Sequence, residues 1–556
     1  PPATAAAQDG LRQSYSRCCR QYIFPMNSTH PDLTASRTSG ILLHPLSLPG
    51  PELCGTLGDE SFALIDWLAA AGQRVWQVLP LGPTGYGDSP YASFSAFAGN
   101  PYMVSLHRLV GAGDLASEDI APLLAPAAAG RIDYGRLYTE KLGLLRRAAA
   151  RFFSDTGTAD PRRTGFERFC QAEAAWLDDY ALFMALKEQE GGRAWQDWPE
   201  GLRTRRAEAA LSDLRNSAEY QATCYIQWQF NLQWHALRAH AESRGVSILG
   251  DAPIFVASDS ADVWSNQKYF ELDADGRSLA VAGVPPDYFS ATGQLWGNPL
   301  YKWDAMRHDE YHWWKLRLMR LLALVHTVRI DHFRGFAQYW RVPADAQTAI
   351  SGEWVDGPGG DFFASLQKHF GVPLPLVAED LGLITPDVVA LRTQFSLPGM
   401  KIFCFAPWGE TEWTDDEGEV RPFEEHPYVP AGWEENCVAY PGTHDNDTFS
   451  GWFGSLTAAQ QDHVERWLGL ASGGPGNQAA RTDAVRREMI RTMMGSNARS
   501  VIFQMQDILG LESEARLNLP GSCNGLNWTW RLDAIPAADD SVTRWLRKLV
   551  LEGKRG

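Results

Sequence analysis

The chain has 556 residues, of which 45% are hydrophobic and 21% are charged, as in ordinary globular proteins. This composition excludes a disordered, collagen-like or coiled-coil protein. Asp and Glu (67) outnumber Lys and Arg (50), which gives a formal net charge of −17. Because an acidic surface repels phosphate backbones, we expect no nucleic-acid partner. The sequence contains no apolar run of about 18 residues, so we expect no membrane-spanning segment.

Eight short apolar runs, rich in Val, Ile, Leu and Phe, follow one another along the chain. They show little alternation of polar and apolar residues, which is typical of parallel strands buried on both faces. In chain order the runs cover residues 40–44, 74–80, 247–251, 327–331, 376–379, 401–405, 437–440 and 501–504.

Helical patterns lie between most of these runs. Residues 59–71 and 310–324 repeat apolar side chains at helical spacing. Residues 386–394 follow Thr385, a good N-cap residue, and have Pro386 at the first helical position. Because strands and helices alternate eight times, the sequence predicts an α/β protein built as a (β/α)8 TIM barrel.

The uneven spacing of the runs predicts where this barrel is elaborated. We expect residues 101–245 to form a large, mostly helical insertion in a βα loop, and residues 255–301 to form a second insertion. We assign residues 1–35 to an N-terminal extension, residues 36–531 to the barrel, and residues 532–556 to a C-terminal helix or tail without a β-sandwich. Insertions in βα loops lie at the face where barrel enzymes carry their active sites.

Carboxylates stand at the ends of several predicted strands. Asp251, Asp331 and Glu379 end three of the runs, and Asp445 follows a fourth. In a barrel these side chains point into one bowl, where their mutual repulsion raises at least one pKa. One neutral acid beside one ionised carboxylate is the requirement for cleaving a glycosidic bond.

The residues around two of these carboxylates suggest different roles for them. Arg329 and Asp331 are spaced i and i+2 and share one face of a strand, so the cation would keep Asp331 ionised as a nucleophile. Glu379 follows Leu-Val-Ala, an apolar approach that favours a protonated acid. Since a lone Asp at a strand end is more often a cap or a solvated residue, we assign Asp380 and Asp447 to that structural class.

The chain resembles the amylomaltases, or plastid disproportionating enzymes, which are 4-α-glucanotransferases of glycoside hydrolase family 77. The resemblance extends from about residue 36 to residue 531. It rests on the motifs GILLHPLSLP from Gly40, GDSPY from Gly87, GDAPIFV from Gly250, GVPPDYF from Gly283, GNPLY from Gly297, VRIDHFRG from Val328, AEDLG from Ala378 and GTHDND from Gly442.

This resemblance implies a role for each candidate residue. Asp331 would be the nucleophile that forms a covalent glycosyl intermediate, and Glu379 would be the general acid and then the base. Asp445 would hold the 2- and 3-hydroxyls of the sugar and favour its distorted ring. The implied sugar-binding residues are Ser89, Tyr91, Asp251, Asp287, Gln294, Trp296, Arg329, His444, Asn518 and Pro520.

The resemblance further implies transfer of α-1,4-glucan segments between maltooligosaccharides by a retaining mechanism, with no cofactor and no metal. Transfer exceeds hydrolysis only if the enzyme holds the acceptor sugar and excludes water. We expect the loop at residues 283–300 to do both, with Trp296 stacked on a glucose ring. In two places the chain departs from the family pattern: residues 51–54 replace the usual Tyr-Gly-Ile-Gly, and Leu519 replaces a residue that is small in many bacterial members.

The sequence also bears on the compartment. The eight Cys form neither a CxxC pair nor a zinc-finger spacing, which favours free thiols in a reducing environment, although adjacent Cys18 and Cys19 leave a redox role open. The chain starts with Pro rather than Met, and its first residues are rich in Ala, Ser and Pro. We therefore expect a plastid stromal protein without its transit peptide, with a bacterial cytoplasmic protein as the alternative.

Three other functions stay open. An α-amylase-like hydrolase would share the carboxylate set, but such enzymes usually carry a β-sandwich, for which residues 532–556 are too few, and many bind calcium, for which we find no loop pattern. A catalytically inactive glucan-binding protein would have lost a carboxylate. A metalloenzyme could use His332 and His444, but these residues match no HExxH motif or facial spacing.

Overall fold

The computed structural model describes residues 36–556 except residues 86, 125–129, 158–159, 287–289, 383, 416–417, 472–476 and 523. Fourteen strands lie in this part of the chain: β1 (Thr38–Leu42), β2 (Val75–Gln77), β3 (Ser247–Pro253), β4 (Ala280–Val284), β5 (Gln294–Pro299), β6 (Thr327–Asp331), β7 (Gln338–Pro343), β8 (Glu353–Asp356), β9 (Leu376–Ala378), β10 (Gly399–Ile402), β11 (Glu412–Thr414), β12 (Val420–Pro422), β13 (Cys437–Tyr440) and β14 (Ser500–Gln504).

Eight of these strands form one parallel sheet, in the order β10-β13-β14-β1-β2-β3-β6-β9. Each of the eight coincides with one of the predicted runs to within a few residues. The two outer strands also meet, because the amide of Ala378 on β9 donates to the carbonyl of Pro398, next to β10, at 2.8 Å. The sheet is therefore a nearly closed barrel, which confirms the predicted TIM barrel.

The described residues contain twenty α-helices. They are α1 (Asp59–Ala70), α2 (Leu106–Gly111), α3 (Ser117–Ile120), α4 (Tyr134–Arg136), α5 (Leu142–Asp155), α6 (Pro161–Ala172), α7 (Ala174–Gln189), α8 (Glu200–Arg203), α9 (Glu208–Leu214), α10 (Ala218–Ser243), α11 (Ala261–Ser265), α12 (Trp303–His308), α13 (His312–Leu324), α14 (Gly359–Phe370), α15 (Pro386–Gln394), α16 (Phe449–Ser455), α17 (Ala458–Trp467), α18 (Gln478–Gly495), α19 (Met505–Leu509) and α20 (Ser541–Gly553).

The predicted helices agree closely with three of these. The helix expected at 59–71 ends one residue earlier, and the helix at 386–394 has the expected bounds. The helix expected at 310–324 begins at His312, because Glu310 and Tyr311 adopt the left-handed backbone region, with φ values of 50° and 56°. Thr385 stands at the N-cap position of α15, but its side chain makes no capping hydrogen bond. Pro386 alone therefore marks this helix start.

The chain between β2 and β3 consists largely of helices α2 to α10. The longest, α10, packs against α5 and α7 and buries Trp228 and Trp234. Trp234 donates its indole N–H to the carbonyl of Leu324, at the end of α13, at 2.8 Å. The helical layer is thereby joined to a helix of the barrel.

A second sheet was not predicted from the sequence. Four antiparallel strands in the order β5-β4-β7-β8 combine segments from the chain before β6 and the chain after it. Trp340 on β7 pairs with Trp354 on β8, and their ring centroids are 5.1 Å apart. These strands are short, and their partners lie on both sides of β6 in the chain. Such pairing leaves no local signal in the sequence, which explains why residues 255–301 were expected only as an insertion.

Two further observations concern cysteines and hydropathy. Within the described residues, the free thiols are Cys54, Cys170, Cys224, Cys404 and Cys437. Cys18, Cys19 and Cys523 lie outside the described residues. Across the ranges that the structure covers, every helix is too short or too polar to cross a membrane.

Candidate active site

The carboxyl ends of neighbouring strands bring the first two candidate carboxylates together. Asp331 is the last residue of β6, and Glu379 directly follows β9, the strand paired with β6. The amide of Glu379 donates to the carbonyl of Ile330 at 3.0 Å, so the ladder continues up to the acid itself. Both side chains therefore project from the same end of the barrel.

Arg329 is the centre of a buried charge network at this end. Its Nη1 donates to both carboxylate oxygens of Asp251, at 2.9 and 2.8 Å, and its Nη2 lies 2.9 Å from Oδ1 of Asp331. The hydroxyl of Tyr91 donates to Oδ2 of Asp251 at 2.7 Å. One guanidinium is thus shared by two carboxylates and holds Asp331 in a defined orientation.

The ionisation of Asp331 differs from the simple expectation. Its pKa is raised to about 6, chiefly by burial; repulsion from Asp251 and Asp445 acts in the same direction, against the attraction of Arg329 and His444. The expectation that Arg329 would hold Asp331 fully in its ionised form is therefore incomplete, because Asp251 competes for the same cation and burial works against the charge.

Glu379 is held by two backbone donors. Its Oε2 accepts from the amide of His332 at 2.7 Å, and its Oε1 accepts from the amide of Leu381 at 3.1 Å. Burial raises the pKa of Glu379 to about 8, with repulsion from Asp331 in the same direction and Arg329 opposing. Because the proton of the pair stays longer on Glu379, Asp331 is the member that ionises first.

The backbone conformation of His332 directs its amide N–H toward the carboxyl group of Glu379. This residue has a φ of 53° in the left-handed region, which is uncommon for a residue with a Cβ. Burial and the nearby Arg334 lower the pKa of its imidazole to about 3, so the ring is neutral. Such strain at a group that holds a candidate acid is typical of a functional site.

Asp445, after β13, is fixed by its neighbours on two sides. Asn518 donates its Nδ2 to Oδ1 of Asp445 at 2.6 Å, and Nε2 of His444 lies 3.4 Å from Oδ2. The ring of His444 stacks on Tyr91, with centroids 5.2 Å apart and planes 11° apart. Through Tyr91 and Asp251, this part of the site is continuous with Arg329.

The remaining predicted residues lie further out. Ser89 accepts a hydrogen bond at its Oγ from the amide of Tyr91 at 3.2 Å. Trp296, on β5, donates its indole N–H to Gln294 at 3.1 Å and packs edge-on against His332, with centroids 4.8 Å apart. Pro520 is exposed on a loop beside the exposed Leu519, and Asp287 lies outside the described residues.

Three residues of the site were missed in the sequence. Arg516 donates to the carbonyl of Asp445 at 2.6 Å and to the carbonyl of Asn518 at 2.7 Å, and so ties their two loops together. The ring of Trp528 lies 6.0 Å from that of His444. His44 is buried, and burial together with His444 lowers its pKa to about 3. His44 alone had a signal, since it ends the first apolar run.

The arrangement of the two histidines does not support the metalloenzyme alternative. His444 stacks on Tyr91, and His332 packs against Trp296. Within the described ranges, no three His, Cys, Asp or Glu side chains group in a way that could hold a metal ion. The site is a set of carboxylates ordered by one arginine and by backbone donors.

The comparison with known proteins agrees with this geometry. The model of glycoside hydrolase family 77, described as 4-alpha-glucanotransferase, matches residues 43–536. The chain belongs to this family. The membership confirms the predicted enzyme class, a 4-α-glucanotransferase, and sets aside the α-amylase-like alternative.

Named relatives of this family 77 enzyme come from bacteria and plants. It is 47% identical to the 4-alpha-glucanotransferase of Thermus thermophilus over 498 residues, covering 89% of this chain and 95% of that protein. It is 40% identical over 515 residues to the chloroplastic/amyloplastic 4-alpha-glucanotransferase DPE1 of Arabidopsis thaliana, covering 92% and 84%. An amylomaltase from Streptococcus agalactiae, solved in complex with acarbose, shares the fold with a TM-score of 0.84 at 35% identity, covering 94% and 100%.

Proposed function

We propose that this 4-α-glucanotransferase moves α-1,4-glucan segments from a maltooligosaccharide donor to a maltooligosaccharide acceptor by a retaining double displacement. Asp331 is the nucleophile, and Glu379 is the general acid and then the base. The observation that carries the proposal is the pairing of these groups on adjacent strands, with the pKa of Glu379 raised above that of Asp331.

In the first step, ionised Asp331 attacks the anomeric carbon while Glu379 gives its proton to the leaving glycosidic oxygen. A glycosyl ester forms, and the donor's reducing-end segment leaves with a free 4-hydroxyl. The ester no longer carries the charge of Asp331, which is one cause of the raised pKa of Glu379. The pKa of Glu379 therefore falls once the ester has formed, which leaves Glu379 ionised and ready to act as the base.

In the second step, Glu379 takes the proton of an acceptor 4-hydroxyl, whose oxygen attacks the same carbon and releases Asp331. Asp445 holds the 2- and 3-hydroxyls of the sugar throughout, with its own position set by Asn518. Such hydrogen bonds strengthen as the ring flattens toward the oxocarbenium-like transition state.

We assign the other predicted residues to the orientation of Asp331 and to sugar contacts around this reaction centre. Arg329, Asp251 and Tyr91 form the network that orients Asp331. The indole of Trp296 is 38% exposed beside His332, so it offers a free surface to an acceptor glucose ring. The further sugar contacts that we propose are Ser89, Asp287, Gln294, His444, Asn518 and Pro520.

We place the enzyme in the plastid stroma, with the cytoplasm of a bacterium as the alternative. Relatives of both kinds cover most of this chain, and those from Arabidopsis thaliana and Solanum tuberosum are named chloroplastic/amyloplastic. Fractionation of cells of the source organism, followed by an activity assay on the plastid and cytosolic fractions, decides between them.

Product analysis with maltotriose as sole substrate tests the function. Transfer gives glucose together with maltooligosaccharides longer than maltotriose, whereas hydrolysis gives only shorter sugars. Asp331→Asn is expected to lower transfer by at least about 10⁴-fold while leaving maltotriose binding in place, because the covalent step is lost. Asp356→Asn, an exposed carboxylate on β8, is the matched control and should retain activity. Substantial disproportionation by Asp331→Asn would refute the assignment of the nucleophile.

A further inference from the structure

Four aromatic rings form a continuous line that leaves the mouth of the barrel. The line begins at Phe405, the last residue of the 3₁₀ turn that follows β10, and continues through Tyr428 and His426 to Trp413 on β11. Neighbouring ring centroids are 5.5, 5.6 and 4.7 Å apart. We call these four residues the aromatic strip.

The inner end of the strip adjoins the reaction centre. Burial raises the pKa of Tyr428, and the charges of Asp380 and Glu379 raise it further. Tyr428 is therefore close enough to Glu379 to be influenced by its charge. Phe405 follows β10, the strand that closes the barrel against β9, from which Glu379 projects.

Trp413, the outer residue of the aromatic strip, lies on the hairpin formed by β11 and β12. Trp413 pairs with Arg421 across this hairpin, and Nε of Arg421 lies 3.0 Å from Oδ2 of Asp415 in the turn. The indole of Trp413 meets the ring of His426 edge to face, at 80° between the planes. The hairpin thus presents a positioned indole, with little conformational entropy left to lose on binding.

His426 adds a polar group to the strip. Burial and the nearby Lys401 lower its pKa to about 4, so the ring is neutral near pH 7. Its Nδ1 accepts from the amide of Tyr428 at 3.3 Å. The proton of the neutral ring is therefore on Nε2, where it can be donated to a hydroxyl.

The exposure of the rings indicates a ligand surface. Phe405 is 37% exposed, and Tyr428, His426 and Trp413 are half-buried, so each ring keeps part of its surface toward solvent. Flat rings combined with the hydroxyl of Tyr428 and the imidazole N–H of His426 match the alternating apolar faces and hydroxyl edges of glucose units. A neutral polysaccharide is also unaffected by the acidic charge of the molecule.

We propose that the aromatic strip binds the part of an α-1,4-glucan chain that extends beyond the reaction centre, and so favours long chains over maltotriose. The inference rests on the glucan transfer proposed above, and it is based on the continuity of the strip with Glu379. On this proposal, maltotriose bound at the scissile bond ends before the hairpin, whereas a longer chain reaches it.

The test compares Trp413→Ala and Trp413→Leu with the unaltered enzyme. Leucine keeps an apolar contact with His426 but removes the flat ring. We expect KM for maltoheptaose to rise about fivefold in both variants, with kcat/KM for maltotriose unchanged. Trp545→Ala removes a half-buried ring on α20, where it packs against Arg487, and is the matched control. It should leave both values unchanged.

A binding measurement separates this inference from the proposed function. Calorimetry of maltoheptaose with Asp331→Asn, and with Asp331→Asn combined with Trp413→Leu, reports affinity without turnover. We expect the second protein to bind about fivefold more weakly. Equal affinities of the two proteins for maltoheptaose, or an equal loss of affinity for maltotriose, would contradict the proposed role of the aromatic strip. If the unaltered enzyme fails to disproportionate maltotriose while the difference in affinity is seen, the proposed function fails and the glucan site stands.

Discussion

Asp331 and Glu379 carry the same functional group, but their surroundings divide the roles between them. The carboxyl oxygens of Glu379 accept from the backbone amides of His332 and Leu381. Asp331 has the guanidinium of Arg329 at 2.9 Å. A cation favours the charged form more than neutral backbone donors do, so one carboxyl is the acid and the other the nucleophile.

We expect a bell-shaped dependence of kcat/KM on pH for maltotriose. Asp331 acts ionised, so activity falls as the pH drops through its pKa of about 6. Glu379 acts protonated, so activity falls as the pH rises through its pKa of about 8. Initial rates from pH 4 to pH 10 measure both limbs. A rate that stays constant through pH 9 would contradict the role of Glu379.

Glu379→Gln separates acid catalysis from nucleophilic attack. With maltotriose as donor we expect kcat to fall by about 10²- to 10⁴-fold, because the leaving oxygen is no longer protonated. With α-maltosyl fluoride, whose fluoride leaves without a proton, formation of the glycosyl-enzyme should remain close to normal. Fluoride release in the first turnover measures this. Asp331→Asn should lose activity on both donors, and equal losses for Glu379→Gln would exclude its role as the acid.

At the scale of the element, two local structures shape the site's surroundings. The antiparallel sheet delivers Trp296 on β5 to a position against His332. The unusual loop after β1 places Glu52 in the interior, 2.9 Å from Nζ of Lys141, which is itself buried. This ion pair connects the first βα loop with the helical layer, so the departure at residues 51–54 has a structural role.

For the first of these elements, Trp296→Ala is expected to shift the products toward hydrolysis. The acceptor sugar loses a ring to stack on and binds more weakly, whereas attack by water does not depend on that ring. The ratio of glucose released to longer maltooligosaccharides formed measures the shift, with an expected change of about three- to tenfold. Leu295→Ala is the control, since Leu295 is exposed on β5 and points to the other face. If Trp296→Ala left the ratio of glucose to longer maltooligosaccharides unchanged, Trp296 would have no role in holding the acceptor sugar.

For the second element, Glu52→Ala is expected to destabilise the enzyme by about 3–5 kcal/mol, because Lys141 is left as an unpaired buried charge. Burial raises the pKa of Glu52, but Lys141 and His107 lower it more, to about 2. A lowered pKa gives stability that is present above the ordinary value and lost as the pH falls toward 2. Urea unfolding at pH 7 and pH 3.5 should show the larger effect at pH 7. Glu52→Leu combined with Lys141→Met should recover most of the loss.

At the scale of the whole molecule, the two ends of the barrel have different tasks. The carboxyl ends of the strands carry the reaction centre, whereas the opposite end is joined to the C-terminus. Arg555, fully buried, donates to the carbonyl of Thr38 at 3.2 Å and to that of Met494 at 2.7 Å. Thr38 begins β1, so these bonds lie far from Asp331 along the barrel axis.

We therefore expect Arg555→Met to lower stability without affecting catalysis. The loss of several hydrogen bonds to buried carbonyls is expected to cost about 2–4 kcal/mol. The urea midpoint and kcat/KM for maltotriose, measured on the same preparation, check the separation. Lys554→Met, an exposed neighbour, should change neither value. A fall in kcat/KM under conditions where Arg555→Met is fully folded would contradict the division between the two ends.

The extent to which the sequence predicted this protein differs between backbone and site. Buried parallel strands need nearly unbroken apolar runs, so all eight barrel strands were visible, and so were the carboxylates that end them. The roles of Arg516 and Trp528 could not be predicted. Neither residue follows a barrel strand, and each contacts the site only because the chain folds back onto residues far away in sequence. Gln294 and Trp296 were named by resemblance, but the sheet that carries them was not.

The sequence by itself determined the barrel, the family and the identity of the acidic groups, because these depend on local patterns and on motifs. Only the tertiary structure decided how the groups are charged. The sharing of Arg329 between Asp251 and Asp331, and the hydrogen bond from the amide of His332 to the half-buried Glu379, arise where separate strands meet. A pKa is set by everything that surrounds a group in space, which no stretch of sequence contains.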